Sequence, residues 1–252
     1  MKANKNKLLN LILPVFSVAC LVIVWAVASF TIDNEYILPS VSQTAKEFAM
    51  LFYQTEFYLA LTSTLLRSLI AFIVAFILGG LCAILAFKMP LFLKVTQPII
   101  AIIRALPTIA VVLLLLFWTN SKIAPIIVTT LVVLPTIYTQ IINALFGLDK
   151  TVAEAGRVDG ADEKQVFLNI ELPQILPTVY DTIGSGFSLN FKLMVAAEVI
   201  AQTANSLGFM LNISKVYFEI AKMLALVCVS VILGVIIEII LARLSRKADG
   251  WR

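Results

Sequence analysis

"EAGRVDGADEKQVFLNIELPQILP", residues 154–177, stands apart from the chain around it. It is charged, punctuated by glycine and ends in Pro173 and Pro177, while its flanks are oily. Of 252 residues, 61% are hydrophobic and 13% charged. A soluble domain runs about 45–50% apolar and about 25% charged. A polar, helix-forming insert between apolar runs is what a membrane protein shows where it leaves the lipid. The reading of this stretch therefore decides orientation and function together.

Its local rules are plain. "TVAE", Thr151–Glu154, has capping-box spacing and predicts a helix beginning near Thr151. Small residues Ala153, Ala155 and Gly156 permit close packing of that helix. Gly160 can take a positive φ and end it or turn the chain. A second helix is expected from Ala161, with Asp162 and Glu163 at its positive end. Val166, Phe167 and Ile170 fall on one side of it, Pro173 is expected to stop it, and Pro177 to open the next apolar run. Residues 150–175 thus read as two short helices joined by a glycine elbow. The apolar ridge suits either a partner or the protein's own inner surface.

Working outward, six spans are expected: Leu8–Phe30, about Leu69–Phe87 with an upstream extension through Leu59, about Pro98–Trp118, about Ile123–Phe146, about Pro177–Ala201 and about Ile220–Leu241. Each approaches the roughly 20 residues that cross a bilayer as a helix. The class is therefore all-α and polytopic. "MKANKNK" before the first apolar run, with "AVAS" at its end, imitates a cleavable signal, but the run exceeds the usual length and favours a retained helix. "PSVSQTAKEFAMLF" reads as an amphipathic helix, capped by Ser40 or Ser42, with Ala45, Phe48, Ala49 and Phe52 on one face. The expected division is residues 1–58, a first span plus this external segment, and 59–252, a five-helix core.

Lys and Arg set the orientation. With the N-terminus inside and six alternating spans, the outside segments hold only Lys46, Lys122, Lys215 and Lys222 of the 19 basic residues. Arg67, Arg104 and Lys192 lie in spans or at their edges, and all the others are inside. Both termini and the 154–177 stretch are expected on the cytoplasmic face of a cell membrane.

Charges in spans are costly and point to function by default. Lys192 and Glu198 share the fifth span but, six apart, not one helix face. Lys192, with Ser188 and Asn190 nearby, could attract an anionic solute or join an ion pair between helices; for Glu198 the packing pair is the preferred reading. Arg104 lies close enough to the expected inner start of the third span to snorkel, or else it faces the pathway. Arg67 is expected to snorkel at the outer boundary. Gly79-Gly80 and Gly184-x-Gly186 allow close helix approach.

Several classes are excluded. The chain has no histidine, and its three cysteines sit in apolar runs without CxxC spacing, so no metal site is expected. No basic stripe with interleaved aromatics supports nucleic-acid binding. No GxxxxGK[ST] is present to cradle phosphates, so the chain is not expected to hydrolyse ATP. A secondary carrier is kept as an alternative function, although it would need an internal repeat and none is visible. A membrane enzyme would have few acids to work with.

Glu154-Ala155-Gly156, Gly160, Ile170, Leu172 and Pro173 match, at every spacing, the EAA-loop pattern of ABC-importer permeases, with Gly156 in place of the usual Ala. "ILPSVSQT", "RALPTIAVVLLLLFW" and "FKLMVAAEVIAQ" resemble the permeases of the nitrate, sulfonate and taurine importer group, which includes importers of thiamine and riboflavin precursors. The paired alanine-arginine-glycine motifs of vitamin-importer coupling subunits are not apparent. Leu106-Pro107 and Phe191-Lys192 depart from the group's usual Pro-Pro and Trp-Lys.

The resemblance implies a type I ABC-importer permease fold with a MetI-like core. It implies a small, anionic or vitamin-precursor-like cargo delivered by an external binding protein. A second permease subunit, as in a homodimer, would complete the pathway. Two cytoplasmic ATPase subunits would hold ATP and Mg, leaving this chain without a cofactor. Gly160 to about Asn169 would be the coupling helix that docks on them.

Overall fold

The computed structural model describes residues 2–248, with the side chains of 2–12, 14, 15, 150, 153, 242 and 244–248 outside the description. Every regular element among the described residues is helical. In order they are α1 (Lys2–Ile32), α2 (Val41–Leu51), α3 (Thr55–Lys88), α4 (Pro90–Ala105), α5 (Thr108–Trp118), α6 (Ala124–Phe146), α7 (Lys150–Val158), α8 (Glu163–Val166), a π-helical turn (Phe167–Glu171), α9 (Leu172–Ala201), α10 (Leu207–Val216) and α11 (Ile220–Ala248).

Among the described residues, four helices are long and apolar enough to cross a membrane: α3, α6, the run Glu163–Ala201, and Ile220–Leu241 of α11. The expected first span, Leu8–Phe30, lies within α1, and part of it falls on side chains outside the description. Its described portion, Phe16–Ile32, is a shorter apolar helix. The third span is corrected. It is a broken pair, α4 and α5, bent by 94°. The break is at Leu106, whose backbone is extended (φ −68°, ψ 127°) because the ring of Pro107 disfavours a helical residue before it.

The chain divides into two compact units. The first holds residues up to Tyr58 together with Met210–Val229. In it, Trp25 Nε1 donates to the Pro39 carbonyl at 3.1 Å and Ser29 Oγ to that of Leu38 at 3.2 Å, which ties the end of α1 to the start of α2. Ser40 caps α2 in a reciprocal box with Gln43. The buried residues of α2 are Thr44 and Leu51, whereas Ala45, Ala49 and Phe52 of the expected apolar face remain exposed.

The second unit holds Leu59–Phe209 together with residues from Ser230 onward. Ala71, Ala75, Gly79 and Ala83 recur once per turn on α3 and are buried. This smooth stripe lets α6 come close: a Cβ on Gly79 would stand 3.1 Å from the Leu134 carbonyl oxygen. Lipid is as apolar as leucine, so such close fit and hydrogen bonds between helices hold a bundle together more than solvent exclusion does. Thr130 Oγ1 donates to the Ala71 carbonyl at 3.2 Å, Thr96 shares a 3.0 Å hydrogen bond with Tyr138, and Asn190 Nδ2 donates to the Ser68 carbonyl at 2.7 Å. α6 packs most extensively on α9. Phe72, Val133, Ile137, Ile141 and Ile175 fill the core.

Candidate functional site

The 150–175 segment folds as two helical pieces about a glycine turn. α7 begins earlier than "TVAE" suggests. Its cap is Asp149, whose carboxylate accepts from the Thr151 N–H at 2.9 Å and from the Thr151 hydroxyl. The expected Thr151–Glu154 box therefore does not form, because Thr151 is already inside the first turn. The Thr151 hydroxyl, then its N–H, holds the Asp149 carboxyl below its ordinary range. Ala153's side chain is outside the description. Gly160 has φ +89°, where a Cβ would be strained. Asp162 caps α8 in a reciprocal box with Gln165, at 2.6 and 3.0 Å. Across the turn, Arg157 grips Glu163 with both fork positions, at 2.8 and 3.2 Å, and that carboxylate raises the guanidinium's pKa. Both side chains face water (43% and 80% exposed), so the pair sets the shape of the turn more than its stability.

Of the two uses open to the apolar ridge, Val166 and Ile170 take the internal one. Val166 is fully buried, and Ile170 Cδ1 occupies the space a Cβ on Gly156 would need. Phe167 is half-buried and receives the Lys88 ammonium over its ring at 4.8 Å. Glu154, Ala155 and the stretch 157–165 other than Ala161 remain exposed, with Val158 at 87%; Leu168 is exposed as well. Between this elbow and the adjacent ends of α3 and α6 lies a groove of ≈ 610 Å³ lined by Lys88, Asp149, Glu154, Arg157, Lys164 and Glu171, among others.

Pro173 does not stop the second helix. It lies in the first turn of α9, half-buried beside Leu172, and the helix runs on from Glu163 to Ala201. A proline ring strikes the carbonyl four residues before it. The π turn relieves this: the Leu172 N–H bonds five residues back, to Phe167.

The intramembrane residues separate into two groups. Glu198 is fully buried near the end of α9 and belongs to a closed network. Arg67 Nε lies 2.8 Å from one oxygen, and Thr64 Oγ1 donates to the other at 2.9 Å. The Leu207 N–H donates to Thr64 at 3.0 Å, and Arg67 Nη2 to the Asn205 carbonyl at 3.3 Å. Arg67 thus does not snorkel. Gly208 packs where its Cβ would overlap Glu198 and stand 2.6 Å from the Val199 nitrogen. Asn190 and Ser188 are also buried, Ser188 beside the Glu238 carboxylate at 3.4 Å. Sequence reading missed Arg67 as Glu198's partner, and Gly208 entirely. Only a small residue after a polar "TANS" break hinted at the latter.

Arg104 and Lys192 form the other group, exposed on the single chain. The Lys192 stem runs beside Gly234. α4 begins already at Pro90, so Arg104 lies in that helix's last turn, away from its start. There Nη2 donates to the Pro135 carbonyl at 3.0 Å and to Thr139 Oγ1. Pro135 is the midpoint of the 23-residue α6, roughly 16 Å from either end.

The family model described as "Binding-protein-dependent transport system inner membrane component" matches residues 75–250. The taurine transport system permease protein TauC of Escherichia coli is 24% identical over 233 residues, covering 90% of this chain and 84% of that protein. The putative aliphatic sulfonates transport permease protein SsuC of Bacillus subtilis is 23% identical over 249 residues, covering 96% and 87%. Among solved structures, a chain of an amino acid ABC transporter superposes with TM-score 0.67 at 18% identity, covering 79% of this chain and 97% of that one. A chain of a bacterial alginate ABC transporter, in complex with an alginate pentasaccharide-bound periplasmic protein, gives 0.66 at 14%, covering 96% of each.

Proposed function

The chain belongs to the family of binding-protein-dependent transport system inner membrane components and is a multi-pass ABC-importer permease subunit; from that premise we propose that residues 150–175 are its docking piece for a separate ATPase. The observation that carries this is the elbow itself: two capped helical pieces locked by Gly160 and Arg157–Glu163, with the turn between them turned to water. The EAA-type residues Glu154, Ala155, Gly156, Gly160, Ala161, Asp162, Val166, Phe167, Ile170, Leu172 and Pro173 then divide by role. Gly156, Val166 and Ile170 hold the pair together, and the exposed turn with Val158 and Leu168 offers the contact.

In this reading the elbow end is cytoplasmic, as are both termini. Two ATPase subunits, holding ATP and Mg, engage two permease chains, and a binding protein delivers the solute at the opposite face. The nucleotide state biases the permease only through contacts that differ between states at this surface. The likeness to taurine and sulfonate permeases favours a small anionic cargo. Of the pathway candidates, Arg104 and Lys192 offer free surface, while Ser188, Asn190 and Glu198 support the wall from within.

The test is co-purification of the chain with its ATPase from cells expressing both. Gly160→Val forces a β-branched residue to positive φ and is expected to abolish association, and Val158→Asp to weaken it about tenfold or more. Undiminished association in both variants, with the chain still inserted in the membrane, would sink the proposal. ATPase-independent uptake driven by an ion gradient would do the same.

A further inference from the structure

Arg104 is an arginine of the second unit that is held by hydrogen bonds yet belongs to none of the ion pairs among the described residues, which are Arg67–Glu198, Arg157–Glu163 and Lys222–Glu219. A guanidinium at mid-span costs about 2.5–3.5 kcal/mol. Its two hydrogen bonds go to neutral oxygens and use one nitrogen, Nη2. Those bonds aim the group and leave Nε and Nη1 to another acceptor. It also lies where the α4–α5 helix breaks, halfway along α6. Beside it runs an open groove of ≈ 290 Å³ between α4 and α6, with Gln97, Thr139 and Asn143 on its walls and Leu93, Ile100 and Phe146 supplying apolar surface.

The geometry points to an anion site in this groove: Arg104 receives a single oxyanion group, a sulfonate, carboxylate or phosphate. Gln97, two turns earlier on α4, and Asn143, one turn beyond Thr139 on α6, receive polar atoms of whatever the anion is attached to. A guanidinium fork suits such a group in a way that an ammonium does not. The inference rests on the permease reading only for the origin of the anion, a solute in transit; an anionic lipid headgroup is the other source of the same chemistry.

The experiment uses the chain purified in neutral detergent, with ethanesulfonate as probe and ethyl methyl sulfone as its uncharged counterpart. Thermal unfolding is followed against probe concentration. The wild type is expected to be stabilised by the sulfonate and not by the sulfone. Arg104→Gln is expected to weaken the response tenfold or more, with Arg104→Lys in between. Nanodiscs of phosphatidylcholine with and without phosphatidylglycerol separate the two sources. If phosphatidylglycerol removes the ethanesulfonate response, and native mass spectrometry finds one such lipid retained by the wild type and lost from Arg104→Gln, the groove holds a headgroup and the anion site stands. Equal responses to sulfonate and sulfone, or equal responses of wild type and Arg104→Gln without such a lipid, overturn it. Should Arg104→Gln fail to fold, Asn143→Leu leaves the bonds of Arg104 to α6 intact; it is expected to weaken the response to 2-hydroxyethanesulfonate, whose hydroxyl Asn143 would receive, and an undiminished response to that probe overturns the site. None of these readouts involves an ATPase. A flat result therefore removes the anion site and leaves the docking role of residues 150–175 untouched, whereas elbow variants that keep their ATPase do the reverse.

Discussion

Arg67 on α3 and Arg104 at the end of α4 bring the same guanidinium into the same apolar unit, and the fold treats them differently. Arg67 is 13% exposed and faces a fully buried carboxylate at 2.8 Å. Arg104 is exposed, and its hydrogen bonds among the described residues go to the Pro135 carbonyl and the Thr139 hydroxyl. A mid-span charge is tolerated when it is neutralised or when something comes to it. Neutralisation makes a joint, since one carboxylate serves α3, the end of α9 and the start of α10. The open alternative makes a receptor. Residue type alone does not distinguish the two; a counter-ion within reach does.

The contrast is easiest to break at Glu198. Glu198→Ala leaves the Arg67 charge without its partner and is expected to cost about 3–5 kcal/mol in thermal or denaturant unfolding in detergent. Joint replacement, Arg67→Met with Glu198→Leu, is expected to recover most of that loss. In the same assay Arg104→Gln should change stability by less than about 1 kcal/mol, as the two hydrogen bonds lost go to neutral acceptors and the charge removed is exposed and unpaired. Equal losses in Glu198→Ala and Arg104→Gln would erase the distinction.

Gly208→Ala sharpens the picture of the joint. Its new Cβ would overlap Glu198 and crowd the Val199 nitrogen at 2.6 Å, at a cost of about 1–3 kcal/mol. A fully stable variant would show that the joint is looser than drawn.

The smallest effect lies outside the membrane, at Asp149. Its folded-state pKa is lowered by Thr151, so its support of α7 is complete above the ordinary Asp value and fades as pH falls through the lowered one, below about 4. Hydrogen-exchange protection of 150–158, taken relative to unstructured peptide rates, should drop there in the wild type. It should stay flat in Asp149→Asn, while α6 beside Arg104 holds in both.

The sequence announced the elbow because its rules are local. Gly160 needs no distant partner to take φ +89°, and Asp162 caps α8 through Gln165, only three residues on. Even there the competition between neighbouring caps went to Asp149 over Thr151, since both can offer an oxygen and only packing chooses. Pro173 looked like a stop because a π turn that absorbs a proline has no composition of its own. The family resemblance, carried by spacing from Glu154 to Pro173, pointed to the permease class that the family match shows. What escaped was long-range: Arg67 and Glu198 lie 131 positions apart, and no periodicity links them. The ridge was legible as such, but not the choice between its two uses; Val166 and Ile170 pack against Gly156.

Glu163 to Ala201 is one uninterrupted run of 39 residues, about 58 Å of helix. Near one extremity Glu163 is clasped by Arg157, and near the other Glu198 is clasped by Arg67. Such a rod resists compression along its axis, so an axial stroke delivered to its first turn reaches its last with little slack. Sideways compliance is concentrated in the wide turn at Phe167–Glu171. The subunit is thus built around an axle with a single flexure, anchored at both ends by charge.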